Sequence, residues 1–356
     1  MILIFSNRKV NLQHQGVEIF QPCLNPVGAE DVFLATAEVA PAGDWHVNLV
    51  PSPPQGNWMG CGPSCALLAD LVRRMKAGEQ DDHPGGLRYD QANKTYNWIF
   101  FIPGYSSSAG SGLKQARQLE EEYQANVMLF SWPADPPAIT SDPIRAYRQA
   151  QASARVSAIH LDQTLEALAL VFADPLRQPS TRVGFRFCLL MHSLGNYVFE
   201  SFVRDPIYSG ETKIFDTIVL HQPDMNGNRE QEWLGRVCFR DALYLTCNTY
   251  DAVLRFSMLI NDVRAGIARG DDPHQLVTFI DFTHGRLIAA RHFMFADVEN
   301  QIVKEGCRRM IRGVPGGEVF NLALDGANGF TYHSDTNTYV LCDPNWQTGN
   351  QSSPPS

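Results

Sequence analysis

From about residue 96 onward, short continuous apolar runs alternate with longer segments of helical periodicity. The apolar runs predict six strands, at 97–102, 126–132, 183–191, 214–220, 242–247 and 276–280. Apolar residues at helical spacing predict five helices, at 113–124, 144–172, 194–203, 252–267 and 293–308. Strands that are apolar on both faces are typical of a parallel sheet covered by helices on both sides. The pattern therefore predicts an α/β fold with a mostly parallel, doubly wound sheet.

The segments on either side of this alternation have weaker patterns. Strands are predicted at 2–5 and 32–37, a helix at 65–75, and a late hairpin at 331–341. We expect one domain over 1–346, made of an N-terminal extension (1–95), a catalytic core (96–310) and a C-terminal hairpin region (311–346). Residues 347–356 are expected to be a disordered tail. The sequence assigns no role to the extension.

Composition narrows the class of partner. The net charge of −9 argues against nucleic acid or an anionic membrane as the main partner. No run reaches the roughly 18 apolar residues of a membrane span, so no integral membrane segment is expected. The eight cysteines are scattered, and Cys188 and Cys247 lie in apolar runs, which favours free thiols in a reducing, cytoplasmic compartment. Their spacing matches no metal site, so neither a metal nor a cofactor is expected.

Ser193 follows the predicted strand 183–191, within His192-Ser193-Leu194-Gly195-Asn196. This is the strand–turn–helix setting of a nucleophile elbow, in which a sharp turn exposes a serine hydroxyl. The hydroxyl becomes a good nucleophile only when a base removes its proton. The alternative is that Ser193 only caps the following helix. His192 is expected to pack beside the turn. It is not a candidate base, because a residue adjacent to the serine on so sharp a turn points elsewhere.

Two backbone N–H groups are candidate donors to the oxyanion that forms during acyl transfer. One belongs to Leu194, directly after the serine, and the other to Tyr105, in the loop that follows the strand 97–102. Gly104 lets that backbone approach a substrate closely. A phosphate-binding loop is the rival interpretation, but Gly112 is followed by Leu113 and Lys114 instead of the required Gly-Lys-Ser/Thr.

The acid and the base are expected to follow the serine in chain order, after later strands. Asp224 and Asp251 are the candidate acids, and Asp251 is favoured because it follows the later strand. Its alternative role is to cap the next helix. His292 and His284 are the candidate bases, and His292 is favoured because it precedes the predicted closing helix. Asp224 and His284 remain the alternatives.

Six short blocks occur in order along the chain. They are Ile102-Pro103-Gly104-Tyr105, Leu129-Phe130-Ser131-Trp132-Pro133, His192-Ser193-Leu194-Gly195-Asn196, Pro223-Asp224, Asn248-Thr249-Tyr250-Asp251-Ala252-Val253-Leu254 and Arg291-His292-Phe293. Together they resemble the α/β-hydrolases of an uncharacterised bacterial branch, the DUF900-like family, over roughly residues 2–308. The resemblance implies an α/β-hydrolase fold with Ser193 as nucleophile, Asp251 as acid and His292 as base. Pro103 and Met191 depart from the histidine and the small residue that are usual in this family.

These observations predict an enzyme that cleaves a small-molecule ester or thioester through an acyl-enzyme, as an esterase, lipase or thioesterase does. The segment between the strands 214–220 and 242–247 is about twenty residues long, too short for a large lid. The second hypothesis is an inactive member that uses the fold as a binding or interaction module, motivated by Pro103 and Met191. Oligomeric state is left open by the sequence.

Overall fold

The strands of the protein lie mainly in a single sheet. The computed structural model describes residues 1–25, 32–39, 44–51, 63–83, 85–135, 142–173, 184–268, 275–296, 299–312 and 329–342. The strands are β1 (Ile2–Ser6), β2 (Arg8–Val10), β3 (Phe20–Leu24), β4 (Phe33–Val39), β5 (Trp45–Leu49), β6 (Thr95–Ile102), β7 (Asn126–Ser131), β8 (Gly184–His192), β9 (Thr217–His221), β10 (Ala242–Cys247), β11 (Val277–Asp281), β12 (Gly329–His333) and β13 (Thr338–Cys342). The helices are α1 (Pro63–Lys76), α2 (Ala109–Tyr123), α3 (Pro143–Leu168), α4 (Gly195–Arg204), α5 (Gln231–Leu234), α6 (Ala252–Ser257) and α7 (Gln301–Arg312).

The large sheet has eleven described strands in the order β12-β13-β11-β10-β9-β8-β6-β7-β1-β4-β5. Neighbouring strands from β1 through to β13 run parallel, and β4, β5 and β12 join antiparallel. β2 and β3 form a separate hairpin. The predicted fold, an α/β-hydrolase sheet that is mostly parallel, is confirmed.

Helices cover both faces of this sheet, and each face has its own apolar core. Residues of α1, α3 and α4 bury side chains with Trp98, Phe100 and Phe187 on one face. Residues of α2 and α7 do the same with Ile99 and Phe101 on the other. Successive residues of β6 alternate between the two cores, as the period of two in a strand requires. β6 is therefore apolar on both of its faces.

The strand order reverses between β6 and β8. The chain leaves β6 through α2 to reach β7 on one side, and returns through α3 to reach β8 on the other. Loops that diverge at such a switch point leave a crevice at the carboxyl ends of the strands, where ligands bind in open α/β sheets. The loops that carry Gly104 and Ser193 leave the sheet at this point.

Two predicted helices are wrong in extent. The one predicted at 252–267 ends at Ser257, where the Asn261 amide donates to the Ser257 carbonyl 3.1 Å away and caps it. The one predicted at 293–308 begins only at Gln301, because the Asn300 side chain accepts from the Ile302 and Val303 N–H groups. Residues 293–296, at the start of the second predicted helix, are therefore not helical. They directly follow the candidate base His292.

The N-terminal extension contributes strands to the large sheet. β1 lies between β4 and β7, and its residues pair with both. The domain boundaries stay a prediction, and the predicted tail at 347–356 lies outside the described residues. None of the described helices combines the length and the apolarity needed to cross a membrane.

Candidate active site

Ser193 sits in the turn between β8 and α4 with a φ of 52°, in the left-handed region that side chains other than glycine rarely adopt. Four hydrogen bonds hold it there, one of them from the Asn196 backbone N–H to the Ser193 carbonyl at 3.1 Å. Its N–H donates to the His221 carbonyl at 3.1 Å, and its carbonyl accepts from the Asp224 N–H at 3.1 Å and from the Asn196 amide at 3.0 Å. Backbone strain held by its surroundings is common at functional sites. The helix-cap alternative for Ser193 is wrong, because Leu194 is the N-cap of α4 and makes no side-chain cap.

Two glycines permit the close packing of this turn. A Cβ on Gly104 would lie 2.7 Å from the Cβ of Ser193, and one on Gly195 would lie 2.5 Å from the Ile102 carbonyl oxygen. Both distances are shorter than side chains tolerate. The candidate oxyanion loop after β6 and the turn after β8 are therefore in direct contact. Met191, where the usual elbow has a small residue, is buried in the core.

Asp251 and His292 meet although 41 residues separate them. The Asp251 Oδ2 and His292 Nδ1 atoms are 2.5 Å apart, and the carboxylate is fully buried. The other carboxylate oxygen accepts from the Val253 N–H at 2.9 Å and the Leu254 N–H at 3.0 Å, so Asp251 also caps α6. The Asn248 amide donates to the Ala289 and Arg291 carbonyls and anchors the loop that carries His292.

The second ring nitrogen of His292, Nε2, is buried and has no hydrogen-bond partner among the described residues. A histidine held on its Nδ1 side presents Nε2 as the atom that can accept a proton. Ser193 Oγ makes no hydrogen bond to it. Such contacts are often long before a substrate binds.

The alternative acid, Asp224, lies in a different buried cluster. Its carboxylate accepts from the Tyr147 hydroxyl and the Ser257 hydroxyl, each at 2.7 Å, and lies 3.4 Å from Arg264 Nε. Burial and the nearby Asp224 raise the pKa of Tyr147 above its usual range. The structure thus brings Asp251, not Asp224, to a histidine. The alternative base, His284, lies on an exposed turn.

Two further histidines lie beside the pair: the His192 ring packs against His292, and the His221 ring stacks on His192 at 5.5 Å. The sequence predicts only that His192 packs beside the turn, and it assigns no role to His221. The His192 ring lies 4.5 Å from the His292 ring, and its Nε2 is 3.3 Å from the His292 carbonyl oxygen. His221 Nε2 accepts from the Met294 N–H at 3.0 Å, so the proton is on Nδ1, which donates to Thr246 at 2.8 Å. Burial holds the pKa of both His192 and His221 well below the usual value, so both rings are neutral. The sequence feature that could have pointed to His221 is its position at the carboxyl end of β9, where site residues gather.

The two candidate oxyanion donors lie in the turn and loop just described. Neither the Leu194 N–H nor the Tyr105 N–H donates a hydrogen bond within the described part of the chain. The loop around Tyr105 is fixed on both sides. The Trp132 indole donates to the Pro103 carbonyl at 2.9 Å, and the Ser106 N–H donates to the Ala134 carbonyl at 2.8 Å. Pro103, where the family usually has histidine, is therefore held through its backbone.

Solved structures that resemble this chain include an esterase and a phospholipase. An esterase from Pyrobaculum calidifontis shares 12% identity, with 73% of this chain and 98% of that chain covered and a TM-score of 0.34. Phospholipase PlaB from Legionella pneumophila, in complex with thio-NAD, shares 17% identity, with 52% of this chain and 37% of that chain covered and a TM-score of 0.24. No curated protein matches the chain.

Residues 88–283 match the model of a family described as "Alpha/beta hydrolase of unknown function (DUF900)". The match includes β6 through β11 with Ser193 and Asp251, and it ends before His292. Since it spans more than half of the 356 residues, the chain belongs to the DUF900 family of alpha/beta hydrolases.

Proposed function

We propose that this protein is a serine hydrolase that cleaves a carboxylic ester or thioester, with Ser193 as nucleophile, His292 as base and Asp251 as the orienting acid. The observation that carries the proposal is the 2.5 Å contact between the buried Asp251 carboxylate and His292 Nδ1, which leaves Nε2 as the proton acceptor. His192 is the chain neighbour of Ser193 and its ring contacts that of His292, so the base and the serine share one edge of the sheet.

The chemistry uses these groups in turn. Ser193 Oγ attacks the carbonyl carbon while its proton passes to His292 Nε2, and the Asp251 carboxylate stabilises the resulting imidazolium. The carbonyl oxygen becomes an oxyanion that accepts from the Leu194 and Tyr105 N–H groups. The tetrahedral intermediate expels the alcohol or thiol, which takes the proton from His292, and leaves an acyl group on Ser193. A water molecule then repeats the sequence and releases the acid.

A small ester is the proposed substrate class. The segment between β9 and β10 contains only the single-turn helix α5 among its ordered elements. A segment of this size does not form a large lid over the crevice. No residue of the proposed mechanism requires a metal ion or an organic cofactor.

The test compares Ser193→Ala with Ser201→Ala, a serine on the neighbouring helix α4 whose hydroxyl donates only to the Tyr197 carbonyl. A fluorophosphonate probe should label the wild type and Ser201→Ala but not Ser193→Ala. On any p-nitrophenyl ester that the wild type cleaves, Ser193→Ala should lower kcat by about 10⁴–10⁶-fold. Labelling that persists in Ser193→Ala contradicts the proposal. Folded wild-type protein that resists labelling and cleaves no ester favours the binding module.

A further inference from the structure

Arg8 is a fully buried arginine in the N-terminal extension, outside the segment that matches the family. It lies on β2, and 1% of its surface is exposed. A guanidinium has five N–H donors in a fixed planar fork and loses its hydration when it is buried. Charged side chains are almost never fully buried without partners, so protein acceptors must replace the water that Arg8 loses.

All five donors of Arg8 have acceptors. Nη2 donates to the Ser107 carbonyl at 2.7 Å and to the Trp132 carbonyl at 2.6 Å. Nε donates to the Ser131 hydroxyl at 3.1 Å. Nη1 donates to the Asp135 carboxylate at 2.5 Å and to the Gln21 carbonyl at 3.4 Å. Burial is the main influence on Arg8 and lowers its pKa, while Asp135 opposes that effect.

Four of these acceptors lie at the carboxyl ends of two neighbouring strands: Ser107 in the loop after β6, and Ser131, Trp132 and Asp135 at the end of β7 and in the loop that follows it. Ser107 lies two residues after Tyr105, and Trp132 is the residue whose indole donates to the Pro103 carbonyl. Arg8 therefore contacts the loop 103–108 directly at Ser107, near its C-terminal end. It contacts Pro103, at the N-terminal end of the loop, indirectly through Trp132. A lysine cannot reproduce this arrangement, because its ammonium has three donors and no planar fork.

We propose that Arg8 is a positioning residue that fixes the loop 103–108 so that the Tyr105 N–H points at the developing oxyanion. This inference rests on the proposed function and assigns a role to the N-terminal extension. Arg8 belongs to the N-terminal extension, whereas the loop 103–108 that it contacts belongs to the segment that matches the family. The competing explanation is that Arg8 only stabilises the fold through its buried pair with Asp135.

The experiment compares Arg8→Lys and Arg8→Met with the control Arg88→Met. Arg88 pairs with Glu120 and Gln124 beside the amino end of β7, at the opposite edge of the sheet. Each variant is assayed for kcat and KM on a p-nitrophenyl ester, for inhibition by an alkyl boronic acid, and for amide hydrogen exchange of residues 104–108. A boronic acid forms a tetrahedral adduct on a serine and so reports on the oxyanion donors.

Arg8→Lys and Arg8→Met should lower kcat by about 10²-fold, the usual effect of a displacement near 1 Å at a reacting group. Boronate affinity should fall by a similar factor, KM should stay nearly unchanged, and amide exchange in 104–108 should become faster. Arg88→Met should change none of these. A purely structural role predicts lower stability with unchanged kcat and boronate affinity per folded molecule, and that result overturns the proposal.

Two further outcomes are also decisive. If Arg8→Met does not fold, Arg8→Lys and Ser131→Ala, which removes one acceptor, carry the same test with the same expected directions. If wild-type protein is neither labelled at Ser193 nor inhibited by the boronic acid, the proposed function fails and the role of Arg8 fails with it. An active wild type with fully active Arg8 variants overturns the role of Arg8 alone.

Discussion

Gly104 offers the sharpest test of the idea that the loop after β6 and the turn after β8 form one site. An alanine there would place its Cβ 2.7 Å from the Cβ of Ser193 and 3.2 Å from both Ser193 Oγ and the His192 carbonyl oxygen. Carbon atoms reach their best separation at about 3.5–4.0 Å, so the two segments must part by about 0.8 Å or more.

That displacement falls on the serine and on the loop that carries the Tyr105 N–H. Misplacement of reacting groups by about 1 Å costs about 10²-fold in rate, so Gly104→Ala should lower kcat by that factor. Overpacking of a tight site costs about 1–3 kcal/mol of stability, which leaves the protein folded for assay. The measurements are kcat on a p-nitrophenyl ester, the rate of fluorophosphonate labelling, and the free energy of unfolding in urea.

Gly112→Ala is the matched control. It adds the same methyl group on α2, where the nearest atoms, those of Leu129, lie 3.7 Å away in ordinary contact. Alanine is favoured over glycine within a helix by about 1 kcal/mol, so this variant should be at least as stable as wild type and equally active. A fully active Gly104→Ala would refute the proposed contact between nucleophile turn and oxyanion loop.

Two other predictions concern carboxylates. Asp251→Asn should lower kcat by about 10⁴-fold, as the same change does in Ser-His-Asp enzymes, whereas Asp224→Asn should mainly lower stability. Kinetics and urea unfolding of both variants check this, and the reverse pattern would make Asp224 the acid. Burial raises the pKa of Asp162 to about 7 from 3.8. Its folded-state pKa exceeds the unfolded one, so stability falls as pH rises from about 4 to about 7. Unfolding measured at pH 5, 6 and 7 should show a shallower fall in Asp162→Asn, and an unchanged slope would refute this assignment.

The parts of the fold that the sequence predicts well are those with strong local patterns. Each strand from β6 to β11 is a continuous apolar run, and the structure shifts its ends by only a few residues. Burial on both faces makes such runs unambiguous. β5, in contrast, has an alternating pattern of half-buried and exposed residues that did not stand out.

Helix ends were harder, because side chains that are distant in the pattern decide them. Asn261 and Asn300 each use an amide to end or begin a helix, and neither interrupts the apolar periodicity. The pattern extends a helix across residues 293–296, yet the Met294 N–H donates to His221 instead of to a helical carbonyl. A contact 73 residues away along the chain thus overrides local propensity.

The same reasoning explains which of the proposed site residues a sequence can nominate. Ser193, Asp251 and His292 each follow a strand, and parallel strands bring their carboxyl ends to one edge, so position alone nominates them. Arg8 has no such signal, because four of its five acceptors lie 99 to 127 residues away and three of the five are backbone carbonyls without a residue-type signature. A reacting group must belong to one of a few residue types, so the sequence can nominate it. A group that positions another is constrained by geometry, and only the folded arrangement of β2 against the two loops reveals it.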